Sequence, residues 1–383
     1  MSNIRLYQRS DLNDINWASK VDGLYIKAFF EKMFEEGSTY YFGNVRVELY
    51  LLELDDFIFP ITVPIPYENQ SYVASPYTQY IRYTIEELRE LNSPFLENVL
   101  KAALQTIGIM LRKGILDQVI IVNNWLLSTN LHHQLNKETL KTMADFLVEK
   151  FPNHAVLFRS LTGYFHKDMM GDLKDLQFQF ILSRSIYIFN PEEYGTLNKR
   201  HRKNIKQDIQ FLQNSGYTVV EHEDLSLDDL IRVRELYNLL YLEKYSYLNP
   251  QFTTEFFINA WKNRILEFKV LKKYGTIYGA VGFFYRDGTM TTPILGYDTA
   301  LGKEEGLYKL CSVMLTQQSL EKHMVLHRSA GAGSFKRNRG AINTFEFSAV
   351  YTKHLPQNKQ WVWKFLSQLL NQIGIPILKR FEL

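Results

Sequence analysis

Cysteine is almost missing from this chain: its 383 residues hold one, Cys311. A single thiol excludes an internal disulfide and any cysteine-based zinc cluster, and it fits a reducing compartment. Cys311 falls in the pattern Leu307, Leu310, Cys311, Met314, Leu315, the apolar face of a helix, where burial raises a thiol pKa and makes it inert. An excess of one charge is missing too. The 44 Lys and Arg against 41 Asp and Glu leave a net charge of +3, which excludes the broad basic surface of a general DNA binder and makes any polyanion contact local. No run reaches the length of a membrane span, and Met1-Ser-Asn-Ile-Arg-Leu-Tyr-Gln-Arg-Ser lacks an apolar h-region, so a cytoplasmic location is expected. What is plentiful is core material. With 46% hydrophobic and 14% aromatic residues, and about 150 residues per domain, the chain fills two cores.

Periodicity predicts a mixed α/β layered fold in each half. In the first half, strands are read at 45–54 and 57–64, with Asp55-Asp56 as their turn, then at 118–123, 155–159 and 178–189. Helices are read from Pro94 to Lys113, stopped by Gly114, and from Asn136 to Lys150; Val73 to Arg82 reads as an extended stretch. The order then recurs. A basic connector helix from Glu193 ends at Gly216; a strand at 217–221 follows, with a helix capped by Ser226 and another begun at Thr253 or Thr254. A three-strand meander to Tyr297, a helix from Lys303, a strand at 325–329 and a last strand at 345–351 complete it. The expected division is 1–190, a connector at 191–216, and 217–383.

The chemistry concentrates between Ile294 and Arg339. Ile294-Leu-Gly-Tyr-Asp298 feeds Gly302-Lys-Glu-Glu-Gly306 and an apolar helix, and Ser329-Ala-Gly-Ala-Gly-Ser-Phe-Lys336-Arg337-Asn-Arg339 follows the next strand. A glycine-flanked helix start leaves backbone N–H groups that accept phosphate, and a glycine-rich basic turn adds side-chain donors. Two such elements in one βαβ unit point to a transferase holding an activated, phosphate-bearing donor.

The second half, with one strand, two helices, a meander, the donor helix and a fifth strand before a basic turn, resembles the GNAT (N-acetyltransferase) fold. Two such halves joined by Asn198-Lys-Arg-His-Arg-Lys-Asn-Ile-Lys206 look like the FemAB-like N-acyltransferases, including the peptidoglycan aminoacyltransferases of bacteria. The resemblance implies a tandem α/β GNAT-like architecture with a degenerate first domain that recognises or scaffolds. It implies acyl transfer to an amine of a peptide or small molecule in a ternary complex, from acyl-CoA or acyl carrier protein, with no metal. Where acetyl-CoA enzymes of this fold carry Gln/Arg-x-x-Gly-x-Gly/Ala, this chain reads Leu301-Gly-Lys-Glu-Glu-Gly-Leu307. That departure leaves aminoacyl-tRNA open as donor, and the basic face Lys199, Arg202, Lys203 and Lys206 suits tRNA phosphates or an acidic carrier. A binding module for an acidic peptide or carrier is the non-catalytic reading.

In the fold it resembles, the fourth strand splays from the fifth, which assigns Leu295, Gly296 and Tyr297 to the donor through main chain. Gly302, Lys303 and Gly306 at the helix start, and Lys336, Arg337 and Arg339 in the turn, are the other donor-binding candidates. For proton transfer and amine alignment the candidates are Asp298, just past a strand, Glu346 in Phe345-Glu-Phe347, His327, and Tyr308, whose phenol could protonate a departing thiolate. Each also has a structural reading, as turn, strand-face or helix-packing residue. Tyr77, Tyr80 and Trp125, with Ser329 heading the turn, are the substrate-groove candidates.

Overall fold

The computed structural model describes residues 4–91, 93–113 and 116–381; Gly114, read as a helix stop, lies outside them. The chain forms two compact units, each discontinuous in sequence. One comprises Met1–Arg184, Leu248–Pro250 and Phe345–Leu383, the other Ser185–Tyr247 and Gln251–Thr344. The boundary thus falls inside two strands, β6 (Gln179–Phe189) and β12 (Ile342–Tyr351).

In the first unit, β1 (Ile4–Tyr7), β2 (Val47–Leu54) and β3 (Phe57–Pro64) form an antiparallel ladder. The β2–β3 turn is tight because Asp55 accepts a left-handed φ of 53°. Next come β4 (Val119–Val122), antiparallel to β3, and β5 (Ala155–Thr162), parallel to β4. β12 then runs antiparallel to β5. Helices α1 (Gly23–Glu36), α2 (Pro94–Lys113), α3 (Lys137–Lys150) and α4 (Lys167–Asp175) flank the ladder. Asn136 caps α3 by accepting the Thr139 N–H. The stretch from Pro76 to Tyr83 is helical rather than extended. Pro76 pre-sets the first turn, Ser75 Oγ accepts the Thr78 N–H, and the Asp117 carboxylate accepts the Tyr77 N–H.

The second unit repeats the plan. Helix α5 (Lys199–Asn214) leads to β7 (Thr218–Val220), α6 (Leu227–Tyr237) and α7 (Thr254–Lys262). Ser226 and Asp229 close α6 with a capping box, and Thr253 caps α7. The meander β8 (Glu267–Lys273), β9 (Thr276–Arg286) and β10 (Thr289–Tyr297) turns at Tyr274-Gly275 and Asp287-Gly288, all four residues at positive φ, as two-residue hairpins require. Helix α8 (Leu307–Lys322), β11 (Val325–His327) and a short α9 (Gly333–Arg337) follow. β10 pairs parallel with β11, and β11 antiparallel with β6. Both units therefore order a meander, a parallel pair and an antiparallel closing strand, the tandem GNAT-like architecture read from the sequence. Two further helices, α10 (Gln357–Leu369) and α11 (Ile375–Phe381), belong to the first unit; Val362, Trp363 and Leu366 of α10 enter its core.

One histidine ties the second unit's stability to pH. His222 Nδ1 accepts the Phe268 N–H at 3.2 Å, so the folded state requires the neutral ring. Burial, helped by the Arg264 charge, holds its pKa below the usual histidine value; burial does the same at His154 and His354. The unfolded chain therefore takes up protons first. The contribution is complete above the unfolded value of about 6.5 and is lost as pH falls through the lower folded values. The urea midpoint is expected to drop between pH 7.5 and 5.5, and to drop less in His222→Gln. Equal midpoints for the unaltered chain would rule the linkage out.

Candidate functional site

Strands β10 and β11 share only a short ladder, Thr289 to Thr291 against Val325 to His327. The register then breaks between Thr291 and Ile294, where Pro293 has no N–H to give. From Ile294 to Tyr297, β10 follows β9 alone. Beyond His327 the chain continues with β6, the Arg328 N–H donating to Tyr187 O at 2.8 Å. The Asp298 N–H donates to Tyr278 O at 2.9 Å, and alternation along an antiparallel ladder sets the rest. Ile294 and Gly296 direct their backbone groups to β9; Leu295 and Tyr297 direct theirs to the side that β11 has left.

Gly296 serves a different approach from the one expected. A Cβ there would lie 2.5 Å from Leu236 C and Tyr237 N, so the glycine lets the end of α6 sit directly on β10. Cys311, fully buried in the same core, has its thiol pushed up to about 12 by burial, as the inert reading required.

Helix α8 begins later than the sequence suggested. Lys303–Glu305 form a 3-10 turn, and Gly306, at φ 64°, is the N-cap of a helix whose first residue is Leu307. No side chain caps that helix, so the N–H groups of Leu307, Tyr308 and Lys309 head it. The acids that would repel an anion belong to the preceding turn. Glu305 accepts the Tyr217 hydroxyl at 3.0 Å, and the Glu304 carboxylate lies against Gly302. An uncapped start of this kind fits a donor phosphate. Tyr308 packs edge-on against Phe335 at 5.2 Å and Tyr297 at 6.4 Å. Burial pushes its phenol up to about 12, against the pull of Arg328 and Arg339, so it stays a proton donor.

The basic turn is a folded element whose cations are engaged from within. Lys336, 5% exposed, directs Nζ to the carbonyls of Arg328, Ser329 and Ala330 at 2.5, 3.2 and 2.7 Å. Arg337 donates to the Tyr187 hydroxyl at 3.0 Å and Arg339 pairs bidentately with Asp208. Gly333 is required because a Cβ would meet the Tyr187 hydroxyl at 2.2 Å. Convergence of these three cations on a phosphate is therefore corrected to an internal staple that holds the loop after β11.

The catalytic candidates are divided. Asp298, Tyr308 and His327 lie in the second unit and Glu346 in the first. Asp298 pairs with Arg232 at 3.0 Å and accepts the Ala300 N–H. His327 is buried, and its Nδ1 accepts the N–H of Ser329, which has a left-handed φ of 56°. Glu346, 2% exposed, holds Arg184 through Oε1 at 2.9 Å and Oε2 at 3.1 Å. Of the groove candidates, Trp125 and Tyr80 are core residues. Trp125 lies 5.3 Å from the rings of Phe29 and Phe30 and donates Nε1–H to Asn123 Oδ1; Tyr80 donates its hydroxyl to Ser348. Tyr77 is half-buried.

The sequence reading missed Arg328. Its signal was present: Val156-Leu-Phe-Arg159-Ser160 and Val325-Leu-His-Arg328-Ser329 repeat one pattern. In each copy the serine follows the residues paired in parallel and has a positive φ, 63° at Ser160 and 56° at Ser329. That repetition marks the two halves as duplicates.

No protein-family model and no curated protein matches the chain. Among solved structures, a conserved protein of unknown function from Bacteroides thetaiotaomicron is similar at 12% identity and TM-score 0.49, over 92% of this chain and 100% of that one. A tandem GNAT protein from the clavulanic acid biosynthesis pathway is similar at 7% and 0.42, over 93% and 100%. L-PGS from Bacillus licheniformis is similar at 15% and 0.46, over 65% and 83%.

Proposed function

We propose that this chain is an N-acyltransferase that moves an acyl group from a thioester, acyl-CoA or acyl carrier protein, to an amine of a peptide or small molecule. The observation behind it is the parting of β10 from β11 beside an uncapped helix start. An acyl carbonyl lying in that gap meets the N–H groups of Leu295 and Tyr297, which stabilise the charge that develops on its oxygen. The donor's phosphates lie at the N–H groups of Leu307 to Lys309. Asp298 anchors the incoming ammonium and takes the proton whose loss frees the nitrogen lone pair. As the C–N bond forms the C–S bond breaks, and Tyr308 protonates the departing thiolate and recovers a proton from the nitrogen that becomes the amide.

Incubation with acyl-CoAs of graded length and a mixture of amines, followed by free thiol, is the test. Amine-dependent thiol release is expected; no release with any acyl-CoA or carrier thioester removes this reading. The exposed cations of α5, Lys199, Arg200, Lys203 and Lys206, favour a second one, with aminoacyl-tRNA as donor. It requires tRNA binding that falls steeply with salt, and a slope reduced by about 2 in Lys203→Glu/Lys206→Glu. Absence of binding at low salt removes it.

A further inference from the structure

The duplicated arginines sit in like places and are answered differently. Arg159, 3% exposed, donates Nη1 to Val73 O at 3.0 Å and to Asn124 Oδ1 at 3.2 Å. Asn124 comes from the segment just after β4. That segment folds back on itself: the Asn124 amide donates to Thr62, the Leu126 N–H returns to Asn124 Oδ1, and residues 123–127 are buried. The first unit thus supplies oxygens to Nη1 of its own arginine, although the buried Nε of Arg159 is left without an acceptor.

The second unit has no such folded-back segment. The segment after β10 turns outward, with Asp298 held by Arg232 and Leu301 38% exposed. Arg328 donates Nη2 to Ser312 Oγ on α8, while Nη1 is shut off from solvent with no acceptor. Its neighbours offer no compensating charge. Tyr308 is a neutral phenol, and the carboxylate of Asp208 is engaged by Arg339. Burial pulls the Arg328 pKa down to about 10, the mark of a cation short of a counter-ion. Arg328 is half-buried, and it is its enclosed Nη1 end that lacks an anion; the cost of that enclosure falls when a carboxylate enters. One positive charge is neutralised by a monoanion; a phosphate dianion would reverse the imbalance.

We propose that Arg328 is the receptor for a carboxylate borne by the ligand that enters where β10 and β11 part. This deepens the transferase reading and rests on it for the ligand's identity: the acyl group or the amine acceptor carries a carboxylate. Arg328 Nη1 binds that group, and Ser312 fixes the guanidinium plane.

Thermal unfolding of the full chain with succinate, glutamate or inorganic phosphate, each against sodium chloride at equal ionic strength, tests it. Succinate or glutamate is expected to raise the midpoint of the unaltered chain, with apparent affinity weakened at least about tenfold in Arg328→Met. Succinate acting more strongly assigns the carboxylate to the acyl group; glutamate acting more strongly assigns it to the acceptor. Without ligand, Arg328→Met is expected to melt no lower than the unaltered chain, because it removes a half-buried cation whose enclosed end is unpaired. A lower melting point for Arg328→Met, with carboxylates shifting neither protein, overturns the proposal, as does a response to phosphate alone. Arg328→Lys keeps the charge and separates the two roles, since it should retain part of the carboxylate response. Thiol release without any carboxylate response sinks this inference alone. An Arg328-dependent response without turnover sinks the transferase reading and leaves the receptor.

Discussion

Glu346→Ala is expected to lower stability by roughly 3–5 kcal/mol, the usual cost of leaving one member of a buried ion pair without the other. Glu346 and Arg184 meet through two hydrogen bonds, and Arg184 also donates to Ser128 O and Thr129 Oγ1. With the carboxylate gone, the guanidinium loses the counter-charge that its ion pair supplied. The pair is not a source of net stability, however. Glu346→Leu combined with Arg184→Met is expected to recover most of the loss, since two apolar side chains avoid the desolvation of both ions. Urea unfolding of the single and double variants measures this. A single-variant loss below about 0.5 kcal/mol would mean that solvent reaches the pair and screens it. The same measurement addresses the catalytic candidacy of Glu346, because a residue used only in chemistry would leave the unfolding midpoint unmoved.

Gly296→Val carries the other large expectation, a loss on the order of 3 kcal/mol. The branch would enter the backbone of α6 at Leu236 and Tyr237, and a helix end cannot withdraw without uncovering the core beneath it. Gly296→Ala separates this cause from chain entropy. In an unobstructed strand an added methyl group stabilises by about 0.4–1 kcal/mol through the unfolded state; here the sign should reverse, with a loss of about 1–3 kcal/mol. A gain in either variant's urea midpoint would show that α6 and β10 have room between them.

Much of this architecture was legible because local chemistry and tertiary demand agree. Asp287-Gly288 adopts the left-handed turn its composition favours, Gly275 allows the one at Tyr274-Gly275, and Ser226 and Asn136 cap the helices they precede. Alternation marked β2 and β3, whose register runs from Val47 opposite Pro64 to Leu54 opposite Phe57. Where the reading failed, a long-range partner decided. Pro76 to Tyr83 is helical because Asp117, distant in sequence, accepts the Tyr77 N–H. The strand at Ile4–Tyr7 exists only against β2, and α1 buries Phe29, Phe30 and Met33, a face that was not counted.

At the candidate site, a parting of β10 from β11 was what the resemblance implied, and β10 follows β9 alone from Ile294 to Tyr297. The roles of the charged residues were not legible. Composition cannot tell a lysine that binds phosphate from one that gathers carbonyls, as Lys336 does, nor a free carboxylate from Asp298 beside Arg232. Arg328 escaped notice for the opposite reason. A lone arginine in an apolar strand looks unremarkable until its counterpart, Arg159, shows the same Nη1 met by Val73 O and Asn124 Oδ1.

The boundary inside β6 and β12 has a consequence for synthesis. β5 takes its antiparallel neighbour from Glu346 to Tyr351, near the end of the chain, and β11 takes its own from Ile188 and Phe189, made long before. A ribosome therefore delivers the earlier-made ladder with one side unsealed until Glu346 to Tyr351 emerge, while the later one finds its closing segment already waiting. Cutting the gene at the midpoint would strand each product without the piece that the other encodes.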